Sequence, residues 1–232
     1  DCMSRPLPTL VASLALLAVA PLTAQAADKP AAAATVAPQA PRPAKRYTIE
    51  QFMATVSIGG ASFSADESRI LFHSNESGIY NVYAMPVGGG KPVQLTDSKT
   101  DSHYAVGFLP GDDRFLYTRD QGGDELNHLY VRELDGSERD LTPGDKLKAR
   151  FMGWSGDDTA FYVATNERDA KLFDVYRYDT KAYARTLVFK NEAGWEVADI
   201  SRDGRWLALA KVNTTADSDV HLADVKTGEI KP

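Results

Sequence analysis

The chain has 232 residues, of which 43% are hydrophobic and 25% charged, with a formal net charge of −6 and a pI of about 5.3. This is a globular composition with enough apolar side chains for one or two ordinary domains. The acidic balance and the lack of a basic stripe exclude a typical nucleic-acid-binding surface, so we expect no nucleic-acid partner. Cys2 is the only cysteine, which excludes a disulfide framework and a thiolate metal cluster.

Residues 1–26 have the pattern of a secretory signal peptide. Arg5 supplies positive charge, residues 10–22 form an apolar run, and Ala24-Gln25-Ala26 is a small-x-small cleavage site. The run is too short and too poorly flanked for a stable transmembrane span, although an uncleaved membrane anchor is the alternative. We therefore expect a periplasmic or secreted protein, with no membrane contact once the signal has been cleaved.

A linker and a short helix are predicted between the signal and the first repeat. Residues 27–46 are rich in Ala and Pro and have no periodic apolar face, which predicts a flexible, partly extended linker. Thr48 and Gln51 have the spacing of a capping box, with Thr48 as the N-cap. This pair predicts a short helix over about 49–54, within a lead-in at residues 47–56.

From residue 57 onward an acidic turn returns at a fixed period. It begins at positions 64, 110, 155 and 201, so the spacings are 46, 45 and 46. Aspartate side chains in such turns accept hydrogen bonds from their own backbone, an explanation that requires neither metal nor substrate. The four copies are Ser64-Ala65-Asp66-Glu67-Ser68, Pro110-Gly111-Asp112-Asp113-Arg114, Ser155-Gly156-Asp157-Asp158-Thr159 and Ser201-Arg202-Asp203-Gly204-Arg205.

The repeats predict an all-β fold. Each one contains four short apolar or alternating segments separated by Gly- or Asp-containing turns, the pattern of antiparallel strands. Four strands in about 46 residues make one blade of a β-propeller, whose faces are covered only when blades stack radially. We predict four four-stranded antiparallel blades, at residues 57–100, 101–146, 147–192 and 193–232. A larger ring is favoured over a closed four-bladed one, because the last blade has no polar capping element.

Three segments of the first repeat resemble the repeats of TolB-type propellers: residues 61–66, 81–85 and 92–96. Together with the signal peptide and the 47–52 lead-in, they are similar to the amino-terminal region of the prolyl oligopeptidase family, in its exported dipeptidyl aminopeptidase/acylaminoacyl-peptidase-like group. The resemblance implies a ring of seven or eight blades that screens a carboxy-terminal α/β-hydrolase domain with a Ser-Asp-His triad. That domain is absent from this chain. The implied partner is a peptide substrate, which that catalytic domain would bind. The resemblance implies no cofactor and no metal.

The chain itself lacks a recognisable catalytic motif. A nucleophile elbow requires Gly-x-Ser-x-Gly, and Gly153-Trp154-Ser155-Gly156-Asp157 lacks the final glycine. Ser155 also aligns with the repeated turn, so we predict that it is not catalytic.

Two other candidate motifs also fail. Residues 88–91 lack the spacing of a phosphate loop, and their sequence predicts a hairpin. The four histidines are scattered along the chain without metal-site spacing: His73, His103, His128 and His221.

The loop at residues 119–125, in the second repeat, departs from the repeated pattern. Loops on rigid scaffolds often carry recognition, and some dipeptidyl peptidases of the resembled family hold the free amino group of the substrate with propeller carboxylates. Asp124 and Glu125 are therefore the candidate substrate-binding residues, since a carboxylate pairs well with an ammonium. The alternative is a solvated loop or an inter-blade salt bridge with Arg119.

The sequence is compatible with three functions. The favoured one is the gating, non-catalytic propeller of a serine peptidase that cleaves short peptides. The second is a TolB-like periplasmic propeller that binds proteins without catalysis, and the third is a self-contained four-bladed binding module. Whether the chain belongs to an enzyme depends on the residues that follow Pro232 in the gene.

Overall fold

The computed structural model describes residues 44–232, and residues 47–232 form one compact unit. The predicted signal peptide and all but the end of the predicted linker lie outside the described residues. In the described part, no helix has both the length and the apolar character needed to cross a bilayer.

The unit begins with one short helix, α1 (Ile49–Met53). Both bonds of the capping box are present: the Gln51 N–H donates to Thr48 Oγ1 at 3.2 Å, and the Thr48 N–H donates to Gln51 Oε1 at 3.0 Å. These bonds satisfy two backbone donors that the first helical turn would otherwise leave free.

Sixteen strands follow, in four sheets that we call blades 1 to 4. Blade 1 contains β1 (Ile58–Phe63), β2 (Arg69–Ser74), β3 (Asn81–Pro86) and β4 (Val93–Gln94). Blade 2 contains β5 (His103–Phe108), β6 (Phe115–Arg119), β7 (His128–Arg132) and β8 (Glu138–Asp140). Blade 3 contains β9 (Ala149–Trp154), β10 (Ala160–Asp169), β11 (Leu172–Asp179) and β12 (Arg185–Phe189). Blade 4 contains β13 (Glu196–Ile200), β14 (Trp206–Thr214), β15 (Asp217–Asp224) and β16 (Ile230–Lys231).

Within each blade the strands pair in chain order, and every neighbouring pair is antiparallel. The first strand of each blade pairs with the second across an irregularity in register, as between Gly59 and Ser62 in β1. Such bulges increase the local twist of a strand. The predicted fold class, with four four-stranded antiparallel blades, is confirmed.

Consecutive blades pack face to face through three apolar clusters. Each cluster takes side chains from two blades: Leu71 and Tyr117 meet between blades 1 and 2, Leu116 and Phe161 between blades 2 and 3, and Tyr162 and Leu207 between blades 3 and 4. All of these side chains are at least nine-tenths buried. The core therefore lies between blades, because a single sheet cannot cover both of its own faces.

The four acidic turns have closely similar structures. In each one the carboxylate of Asp66, Asp112, Asp157 or Asp203 accepts the backbone N–H two residues later, at 2.9–3.1 Å. In three turns a serine hydroxyl also donates to the carboxylate, at 2.5–2.6 Å. In blade 2 proline replaces that serine, and the Arg114 guanidinium pairs with the carboxylate instead.

These hydrogen bonds stabilise the ionised carboxylates. Bonds from the Ser64 hydroxyl, then from the Ser68 N–H and hydroxyl, lower the pKa of Asp66 to about 2. The Ser155 hydroxyl and Thr159 do the same for Asp157, whose pKa is also about 2. Local hydrogen bonding therefore accounts for the repeated acidic turns.

Candidate functional site

The two ends of each blade carry different connections. The acidic turns and the turns between third and fourth strands lie at one end, because neighbouring strands are antiparallel. The loops between second and third strands lie at the other end, together with the connections to the next blade. Asp124 and Glu125, the predicted site residues, lie at this second end, in the loop between β6 and β7.

The loop is shaped by its own carboxylate. Asp124 Oδ1 accepts the backbone N–H groups of Gln121, at 3.2 Å, and Leu126, at 3.0 Å. The Gly122 N–H donates to Asp101 Oδ1 at 2.9 Å, which ties the loop to the segment that precedes β5. Glu125 has a positive φ of 60°, and both candidate side chains are exposed. The structure thus holds Asp124 in a fixed position and places Glu125 beside it.

Arg119 does not pair with these carboxylates. Its guanidinium lies 4.1 Å from the centroid of the Tyr130 ring and 3.8 Å from Glu138 Oε2. Both partners belong to blade 2, so the inter-blade salt bridge considered as an alternative is not formed in the described residues.

A side chain at the start of the third strand fastens the connection between blades. In blade 1 the backbone N–H of Ser98 donates to Asn81 Oδ1 at 2.8 Å. In blade 3 the backbone N–H of Asn191 donates to Asp174 Oδ1, also at 2.8 Å. In both blades the partners are 17 residues apart, and the acceptor side chain is fully buried. We call this contact the latch.

Blade 2 lacks the latch. The register of the repeats places His128 where blades 1 and 3 have Asn81 and Asp174, and the residue 17 positions later is Asp145. His128 Nδ1 lies 2.7 Å from Asp140 Oδ2 instead, and Asp140 Oδ1 accepts the Thr142 N–H at 2.9 Å. His128 is therefore anchored on β8 and does not fasten the connection to blade 3.

A cavity of about 450 Å³ opens where the latch is absent. It lies between the β6–β7 loop and the connection to blade 3, and its volume falls in the range of about 300–1,000 Å³ that is usual for ligand pockets. It combines two carboxylates, an ammonium, an imidazole and an amide. Its lining residues are Gln121, Asp124, Leu126, His128, Gly144, Asp145 and Lys146.

Ser155 is not placed for nucleophilic attack. Its hydroxyl donates to Asp157 Oδ1 at 2.6 Å and accepts the Ala160 N–H at 2.9 Å, and the residue is 4% exposed. No histidine contacts it among the described residues. The prediction that Ser155 belongs to the turn is confirmed.

His73 and His103 contact neighbouring side chains and backbone in and between blades. His73 Nδ1 accepts the Ala105 N–H at 3.2 Å, which joins blades 1 and 2. His103 packs against the Tyr117 ring, with centroids 4.9 Å apart. Burial lowers the pKa of both histidines and so favours their neutral form. The described residues contain no group of three or more side chains suited to bind a metal.

The sequence identified one wall of the cavity and missed the other. Asp124 was predicted to be functional, whereas His128, Asp145 and Lys146 were not. A signal was available: aligning the repeats places His128 in the column of Asn81 and Asp174. Its departure from the latch is visible only once the hydrogen bonds of those two residues are known.

The family model for the prolyl oligopeptidase N-terminal β-propeller domain matches residues 98–232, more than half of the chain. A dipeptidyl aminopeptidase BIII from Pseudoxanthomonas mexicana is 32% identical over 196 residues. This alignment covers 80% of this chain and 26% of the relative, so the chain spans about a quarter of that protein's length.

Solved structures show the same fold. A prolyl endopeptidase structure superposes with a TM-score of 0.57 at 17% identity, covering 77% of this chain and 29% of the other. TolB from Acinetobacter baumannii superposes with a TM-score of 0.54 at 20% identity, covering 75% and 43%. Both likenesses concern the fold, whereas the family-model match concerns the sequence. The chain belongs to the prolyl oligopeptidase family, as part of its N-terminal β-propeller domain.

Proposed function

We propose that this chain is the gating, non-catalytic propeller of an exported serine peptidase that cleaves short peptides. The observation that carries the proposal is the match of most of the repeat region to the propeller model of a peptidase family. The similarity to a dipeptidyl aminopeptidase supports the proposal that the substrates have a free amino end. In the intact protein, a triad serine outside this chain attacks the peptide carbonyl and the propeller restricts access to it. The signal-like residues 1–26 support a periplasmic or secreted location.

The chain's own residues support a non-catalytic role. Ser155 is buried in a turn, and the described histidines are held by neighbours within or between blades. A nucleophile must lie within hydrogen-bond reach of its base. The contribution of this region is therefore the binding and selection of substrates.

Asp124 and Glu125 are the proposed recognition residues. They lie on a loop that is fixed by hydrogen bonds to its own backbone and to Asp101. A carboxylate on a fixed loop binds an ammonium without a large ordering cost. We assign the primary role to Asp124, since it lines the cavity, and a supporting role to Glu125.

Replacing Asp124 with asparagine in the full-length protein should lower kcat/KM for a free-amino dipeptidyl p-nitroanilide about tenfold, mainly through KM. The asparagine oxygen can still accept the two loop N–H groups, so the variant retains the loop while losing the charge. Glu125→Gln should have a smaller effect. Substrates with an acylated amino group should be cleaved by Asp124→Asn as by the unmodified enzyme.

The matched control is Glu67→Gln in blade 1. It removes an exposed carboxylate from the acidic turn, which lies at the end of the blades opposite to the Asp124 loop. It should leave both substrates unaffected. An equal loss of activity on free and acylated substrates in Asp124→Asn would show that the residue does not read the amino group.

The competing function is that of a TolB-like propeller that binds proteins without catalysis, and the structural likeness to TolB favours it. The two functions differ in the residues encoded after Pro232. A Gly-x-Ser-x-Gly segment on a strand–helix turn, followed by Asp and His, supports the peptidase. A stop codon after only further blades supports the binding protein.

A further inference from the structure

We propose that the blade 2 cavity holds both ends of a very short peptide, so that it selects zwitterions such as dipeptides over longer chains. The inference rests on the proposed role of Asp124 toward the ammonium group. It adds a second anchor, Lys146, for the free carboxylate.

The cavity exists because blade 2 departs from its own repeat. Blades 1 and 3 close this position with the latch, through Asn81 and Asp174. In blade 2 the corresponding side chain is His128, which bonds to Asp140. A position where blade 2 breaks a rule that the blades on either side of it obey is a candidate for function.

His128 lines the cavity and has one ring nitrogen without a hydrogen-bond partner among the described residues. Only 10% of its side chain is exposed. Since Nδ1 lies against the Asp140 carboxylate, it carries the proton in the neutral ring, and Nε2 is left as an acceptor. No described residue bonds to Nε2. This nitrogen can therefore accept an N–H from a ligand ammonium.

The charges of the lining suit a dipolar ligand. Asp124, Asp145 and His128 Nε2 can accept from an ammonium, whereas the Lys146 ammonium can bind a carboxylate. Lys146 and Asp124 lie on the two segments that border the cavity. Because the cavity has a volume of only about 450 Å³, a ligand that pairs with both must be short and must carry both charges.

The segment that carries Lys146 is fixed by core packing and by a backbone hydrogen bond. Leu147, the next residue, is 3% exposed and belongs to the cluster between blades 2 and 3. The Ala149 N–H donates to the Asn127 carbonyl at 2.7 Å, which joins the two borders of the cavity. These contacts fix the two borders of the cavity relative to each other, which limits the entropic cost of binding.

The test is calorimetric titration of the full-length protein with Gly-Gly and with two capped analogues, N-acetyl-Gly-Gly and Gly-Gly amide. Gly-Gly should bind at least about tenfold more tightly than either analogue. Lys146→Gln should remove the advantage of Gly-Gly over its amide and leave amide binding unchanged. Lys91→Gln, in the exposed turn between β3 and β4, is the matched control. It should change neither the affinity for Gly-Gly nor the affinity for Gly-Gly amide.

A second variant tests the origin of the cavity. His128→Asn introduces the side chain that forms the latch in blade 1, so it should close the cavity and abolish Gly-Gly binding while the protein remains folded by circular dichroism. Retained Gly-Gly binding in this variant would overturn the assignment.

The two proposals fail in different ways. If Gly-Gly amide binds as tightly as Gly-Gly, the second anchor is absent and the inference is wrong, while the role of Asp124 stands. If N-acetyl-Gly-Gly binds as tightly as Gly-Gly, the Asp124 assignment fails and the inference fails with it. Absence of Gly-Gly binding also overturns the inference.

Discussion

Replacing Phe161 with alanine should lower the free energy of unfolding by about 3–5 kcal/mol, the usual cost of removing a buried phenylalanine. Phe161 is fully buried in the cluster shared by blades 2 and 3. Its ring stacks on Tyr178, with centroids 5.2 Å apart and planes at 13°, and meets Trp154 edge-on at 5.6 Å. The alanine variant would lose these contacts and leave a cavity between the blades. Urea denaturation followed by tryptophan fluorescence measures the change.

Phe52→Ala is the matched control, because Phe52 lies on α1 and is 71% exposed. It should change the stability by no more than about 0.5 kcal/mol. A loss below about 1 kcal/mol for Phe161→Ala would mean that blades 2 and 3 do not share a close-packed core.

Replacing Asp174 with alanine should destabilise the protein by about 1–3 kcal/mol, the cost of leaving buried partners unpaired. Asp174 Oδ1 and Oδ2 accept from the Arg168 guanidinium at 2.8 and 2.7 Å. Oδ1 also accepts the Asn191 N–H, which is the latch of blade 3. Asp174→Asn should cost less than Asp174→Ala, since asparagine forms the same latch in blade 1. Amide hydrogen exchange at Asn191 should accelerate in Asp174→Ala and much less in Asp174→Asn.

The effect of Asp174 should depend on pH. Burial alone would raise its pKa, but the bonds from Arg168 and Asn191 outweigh burial and lower the pKa below 3.8. Because the folded state favours the ionised carboxylate, its contribution is present above about pH 3.8 and is lost as the pH falls through the folded-state pKa. The stability gap between the unmodified protein and Asp174→Ala should therefore narrow in acid. A gap that widened below pH 3.8 would contradict this account.

The repeated turns could be predicted because their causes are local. Asp66, Asp157 and Asp203 bind groups no more than two residues away, so the sequence window contains the whole interaction. The capping box is also local, because its partners Thr48 and Gln51 are three residues apart. Blade number and strand order follow from the period of these turns.

Strand ends were less predictable, because long-range pairing decides them. The apolar pattern of the third strand in blade 2 extends to Leu134, but β7 ends at Arg132. The Glu133 N–H donates to the Ser137 carbonyl at 2.9 Å, which closes the turn to β8. Leu134 is left 68% exposed at that turn.

The cavity in blade 2 could not be predicted from its residues one at a time. Asp124 and Lys146 are 22 positions apart, and each resembles an ordinary surface charge. Only the comparison of His128 with Asn81 and Asp174, in three dimensions, shows that the connection between blades 2 and 3 lacks the latch. The sequence indicated the loop that carries Asp124. Only the structure shows that the segment with Lys146 forms the opposite side of the cavity.

We propose that this region belongs to a serine peptidase and supplies none of its catalytic groups. The decisive experiment is labelling of the full-length protein with a fluorophosphonate, followed by peptide mass spectrometry. We expect a single modified serine, in a Gly-x-Ser-x-Gly segment beyond residue 232, and no label on residues 44–232. A label on Ser155, or on any other serine of the four blades, would contradict it.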